Sequence, residues 1–104
     1  MPINEAAELP PEILSRGTIE TASVLGVIDQ DNVSIVIKKV NRNLLVGAPE
    51  VHLAIIDKTD REAGGGAILR LGENVSFPGV CTAYVVGLSS FEGSQRVTIL
   101  IIPD

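Results

Sequence analysis

From Thr18 to Ile102 the chain alternates short apolar stretches, rich in Val, Ile and Leu, with small clusters of Gly, Asn, Asp and Pro. That rhythm predicts β-strands separated by turns. Six strands are expected: Thr18 to Ile28, Val33 to Val40, Val51 to Asp57, Ala67 to Phe77 with a break near Gly72, Cys81 to Leu88, and Gln95 to Ile102. The "DQDN" phrase at Asp29 to Asn32 and the "FEGS" phrase at Phe91 to Ser94 predict tight turns, because Asp, Asn and Gly accept left-handed backbone angles. No helical period separates the strands, so parallel βαβ units are not expected. The expected fold is all-β: a small antiparallel β-sandwich or barrel of about six strands with an extended N-terminal arm. Residues 1–16, punctuated by Pro2, Pro10 and Pro11, form that arm, with a turn or two of helix at "PPEILSR". Residues 17–104 form a single β domain.

Several strands carry apolar residues on both faces. In the last strand Val97, Ile99 and Ile101 back onto Thr98, Leu100 and Ile102. In the fifth, Cys81, Ala83 and Val85 back onto Tyr84, Val86 and Leu88, and in the third, Val51, Leu53 and Ile55 back onto His52, Ala54 and Ile56. A two-layer β domain has one interior, and a strand with one wet face alternates apolar with polar residues. The surplus therefore calls for a cover: the N-terminal arm, a second copy, or another protein. The candidate contact residues are Ile13 and Leu14 in the arm, and Val86, Leu88, Leu100 and Ile102 on the strand faces. Leu44, Leu45 and Val46 join them from the "NRNLLVGAPE" loop, where closing one end of the fold competes with meeting a partner.

Length and charge narrow the picture. The 104 residues fit one domain with one core. The net charge is −5, from 13 acidic and 8 basic residues, and Lys38, Lys39 and Arg42 form the only basic cluster. Nucleic acid is not an expected partner, because displacing counterions from phosphates needs a basic face. Three aromatics, Phe77, Tyr84 and Phe91, are too few for a base-stacking platform. "ILII" is the longest apolar run, so no membrane insertion is expected, and the N-terminus lacks the charged and apolar regions of a signal peptide. A cytoplasmic or virion-associated location is the expectation.

Candidate chemistry is sparse. His52 and Cys81 are the only residues of their kinds, with no local spacing that suggests a catalytic pair or a zinc site. Asp57, Asp60 and Glu62 offer oxygen ligands, but Lys58 and Arg61 interrupt them and no calcium-loop pattern follows. Gly64-Gly65-Gly66 lacks the Lys, the hydroxyl residue and the following helix of a phosphate loop, so it predicts a flexible hairpin tip or a bulge. No catalytic residue, cofactor or metal is expected. The reading that follows is a non-enzymatic structural or interaction protein, forming a homo-oligomer or joining a larger assembly through apolar sheet faces and the arm. A phage or virus-like particle component, or a subunit of a bacterial surface or secretion structure, fits the size, acidity and arm. The alternative is a small acidic inhibitor or adaptor that binds a protein target through a loop.

Overall fold

The computed structural model describes residues 3–30, 32–41, 49–60, 62, 64–91 and 93–103. Strands dominate: β1 (Ile3–Ala6), β2 (Thr18–Ser23), β3 (Val27–Asp29), β4 (Val33–Asn41), β5 (Glu50–Asp57), β6 (Gly65–Arg70), β7 (Asn74–Phe77), β8 (Cys81–Phe91) and β9 (Ser94–Pro103). One short helix, α1 (Pro11–Leu14), precedes β2, and Pro11 opens it where a missing N–H costs nothing.

The strands form two antiparallel sheets, and neither closes into a barrel. Sheet A runs β1-β8-β9-β2, with β7 pairing the other end of β8 on the same side as β1. Sheet B is the meander β3-β4-β5-β6. One core cluster unites them. Sheet B contributes Ile35, Ile37, Val51, Leu53 and Ile55; sheet A contributes Cys81, Ala83, Val85, Leu88, Val97, Ile99 and Ile101. Except for Leu88, these are the inward residues of two-residue alternation, as expected of strands that bury one face.

Among the described residues nine strands replace the six expected, because two predicted strands each divide between the sheets and β1 forms within the expected arm. Thr18 to Ile28 breaks at Val24 to Gly26: Val24 N–H donates to the Gln95 carbonyl beside sheet A, while Leu25 N–H donates to Ile37 in sheet B. Leu25 makes that corner with φ at 70°. The predicted break at Gly72 proves to be the second crossing. Gly72 (φ 87°) donates its N–H to Val85 in sheet A, whereas β6 before it belongs to sheet B. The β7–β8 turn is type II in form. Pro78 leads into Gly79 at φ 77°, and Val80 N–H donates to the Phe77 carbonyl at 2.9 Å.

The glycine run is a correction of a different kind. Gly65 and Gly66 are not at a hairpin tip but within β6, paired with Ile55 and Ala54. A Cβ on Gly64 would collide with the Ile55 carbonyl oxygen, so this glycine is required by close approach of backbone to backbone.

A bulge corrects the face of Leu88. Val85 pairs with Ile99 and Gly87 with Thr98, which leaves Val86 as the extra residue. The slip moves Leu88 from the outer face to the core, where it pairs with buried Val97. Leu100 and Val86 are also buried, yet neither belongs to the inter-sheet core. β1 and β2 flank the β8–β9 pair on opposite sides, so residues 7–17 run from one edge of that pair to the other. Ala7 N–H donates to the Val86 carbonyl at 2.9 Å at the start of this crossing. At its end, Gly17 approaches the Ile101 carbonyl too closely for any side chain.

Candidate interaction surface

The outer face of sheet B is built by the residues that alternate with the core. Its register aligns them in rows. Val27, Val36, Ala54 and Gly66 form one row across all four strands. Asp29, Ser34 and Ile56 form the next on one side. Lys39, His52 and Ile68 form the next on the other, followed by Asn41, Glu50 and Arg70. Val27 (56%), Ile56 (41%) and Ile68 (57%) are exposed large aliphatics in this array, and the corner residue Leu25 is more exposed still. Most exposed large apolar residues of the described chain therefore collect on or beside one face. Scattered surface aliphatics are ordinary, but a continuous group is the mark of a contact surface.

Charged groups sit at the margins of this strip. At one end the Lys58 ammonium pairs with the Asp29 carboxylate, which also accepts from Ser34 Oγ at 2.8 Å. The hydrogen bond from Lys58, then that from Ser34, and the Lys58 charge hold the Asp29 carboxyl below the usual range. At the other end Arg70 lies 4.0 Å from Glu50. An apolar centre with a polar rim is the general anatomy of protein contact surfaces.

Between strip and rim lies a shallow hollow of about 450 Å³ lined by Lys38, His52, Gly66, Ala67 and Ile68. His52 Nε2 is shielded there and has no hydrogen-bond partner among the described residues. A second hollow, about 410 Å³, opens at one end of the layer between the sheets and touches Gln30, Asp57, Thr59, Val80 and Pro103. Its buried carboxylate is already satisfied: Asp57 Oδ1 accepts from Thr59 N at 2.9 Å and Thr59 Oγ1 at 2.8 Å.

The structure disperses the residues singled out from sequence. Ile13, Leu14 and Ile102 are half-buried, Val86 and Leu100 are buried outside the inter-sheet core, and Leu88 is core. Leu44, Leu45 and Val46 lie outside the described residues. His52 and Cys81 do not meet, since one is on the outer face of sheet B and the other faces the core from sheet A. Asp57 and Asp60 each accept from the backbone two residues on, at Thr59 and Glu62, so both carboxylates serve their own turn. Among the described residues no three His, Cys, Asp or Glu side chains converge. The residues that sequence reasoning passed over are Val27 and Ile68. The apolar run Ala67-Ile68-Leu69 carried the same two-faced signal as the other strands, but without assignment of the Gly run to β6 its faces had no reference.

No family model matches the chain. No curated protein and no solved structure is similar enough to match it either.

Proposed function

We propose that this chain is a non-enzymatic interaction protein, a two-layer β-sandwich whose N-terminal arm covers the outer face of sheet A and whose assembly surface is the outer face of sheet B. The observation that carries the reading is the asymmetry of the two outer faces. Leu100 and Val86 on sheet A are buried, and Ile19 beside Leu100 is that sheet's one exposed large aliphatic among the described residues, whereas Val27, Ile56 and Ile68 on sheet B are all left in solvent. Two apolar faces that sequence alone cannot rank thus acquire different roles. One is finished by the arm during folding, and the other keeps apolar area whose removal from water favours association by about 25 cal/mol per Å².

The test is native mass spectrometry and sedimentation of the full chain, alone and with the proteins that copurify from its source cell. Ile56→Lys and Val27→Lys place charge in the strip at exposed positions, so folding is expected to survive. Both variants should lose the assembled species while their thermal unfolding stays close to the parent. Identical masses and identical copurifying proteins for parent and variants would sink the proposal.

A further inference from the structure

The free side of β6 has a backbone pattern complementary to itself. Lys58 N–H donates to the Asn32 carbonyl at 3.0 Å, which flanks the Val33–Asp57 pair. Asp57 therefore turns its own backbone groups away from β4, and by alternation so do Ile55, Leu53 and Val51. Their partners on β6 are Gly65, Ala67 and Leu69. Gly66, Ile68 and Arg70 must then direct N–H and C=O away from the sheet.

Arg70 is already satisfied within the chain. Its N–H donates to Glu73 Oε1 at 2.7 Å, and its carbonyl accepts from Glu73 N–H at 2.9 Å. Gly66 and Ile68 have no such partner among the described residues. Two N–H and two C=O groups are left facing outward on a segment, Gly65 to Leu69, with no charge and no proline. Charge and proline are the usual protections of a sheet edge.

We infer that β6 pairs antiparallel with β6 of a second copy about a two-fold axis through Ala67, joining two copies of sheet B into one continuous sheet. This deepens the interaction reading above, on which it rests, by naming the partner and the register. Centring on Ala67 sets Gly66 of each copy against Ile68 of the other, so the four free groups of one copy meet the four of the other in four hydrogen bonds. On the outer face each Ile68 side chain then lies beside a residue with none. Shifting the axis one residue toward Arg70 sets Ile68 against Ile68 and spends the remaining bonds on Arg70, already engaged by Glu73. A shift the other way leaves Ile68 opposite Gly64.

Charge agrees with the central register. It puts Arg70, half exposed and only 4.0 Å from Glu50, opposite Gly64 of the second copy and near that copy's exposed Asp60 and Glu62. Such an isologous contact closes on itself and stops at two chains.

Sedimentation equilibrium of the full chain over about a hundredfold concentration range, with amide exchange at Gly66 and Ile68, tests this. The expected result is a mass rising toward twice 11.0 kDa, with both amides exchanging more slowly as the dimer fills. Gly66→Pro deletes an outward N–H that β5 does not use and should weaken the dimer by at least about tenfold. A single-chain mass throughout, or a dimer indifferent to Gly66→Pro, overturns the proposal. Should that variant fail to fold, the parent's exchange decides: Gly66 and Ile68 amides with rates independent of concentration overturn it equally. Ile56→Lys separates the two proposals. Assembly lost in Ile56→Lys but kept in Gly66→Pro rejects the edge and keeps the face; the reverse keeps the edge and rejects the face.

Discussion

Asp57 is tied to Thr59 twice through one oxygen: Oδ1 accepts the Thr59 backbone N–H at 2.9 Å and the Thr59 hydroxyl at 2.8 Å. The backbone bond, then the hydroxyl bond, holds the Asp57 carboxyl below its ordinary 3.8, against burial that pushes it up. Asp29 is lowered too, first by Lys58.

Both groups have folded values beneath their unfolded ones, so their contribution is complete above the unfolded value and is lost as pH falls through the folded value. The urea midpoint should therefore be flat from neutrality down to about pH 5 and fall below about pH 4. Asp57→Asn should lower stability near neutral pH and flatten the acid limb. An unchanged acid limb in Asp57→Asn would contradict the assignment.

Leu100 is fully buried outside the inter-sheet core, so truncating it should open a cavity beneath the arm crossing. Leu100→Ala should cost about 2–5 kcal/mol by urea denaturation. Half-buried Ile102, cut to Ala, should cost clearly less. Equal losses would mean the crossing does not seal the face.

Two glycines two residues apart should respond oppositely. Gly64→Ala drives a Cβ into the Ile55 carbonyl and should destabilise by about 1–3 kcal/mol, since the obstacle is backbone. Gly66 has its nearest obstacle at 3.7 Å. Gly66→Ala, measured at concentrations where the chain is a monomer, should be neutral or gain up to about 1 kcal/mol from a less flexible unfolded chain.

Leu25 holds φ at 70° while its side chain is 79% exposed, so little packing opposes its replacement. Leu25→Gly should relieve the left-handed strain and raise stability by up to about 1 kcal/mol. A drop in the thermal midpoint would show that the leucine side chain holds the corner together.

The strands of this protein were legible because alternation is local: Val97, Ile99 and Ile101, or Val51, Leu53 and Ile55, declare their common face without knowledge of any partner. What local pattern did not reveal was each departure from it. The bulge at Val86 reverses the face of Leu88, and nothing in "AYVVGLSS" marks which residue is supernumerary, because pairing with β9 decides it. The division of Thr18 to Ile28 was hidden for a similar reason. Leu25 is a poor residue for a positive φ, so its corner is imposed by two sheets competing for one strand. The candidate surface was half visible. Ile56 was seen as surplus, while Val27 and Ile68 became its neighbours only through register across β3 to β6.

The two crossings lie on opposite sides of the molecule, at residues 24–26 between β2 and β3 and at 71–73 between β6 and β7. Sheet B is therefore one uninterrupted length of chain, inserted between the two lengths that make sheet A. Exchanging sheet B between two molecules would require both seams to open together, and each is a tight corner with no slack to reach a neighbour. Swapping of sheet B, one form of a common hazard of small β proteins that associate, is thus obstructed from both sides. Copies released from an assembly of this protein should therefore each keep their own sheet B.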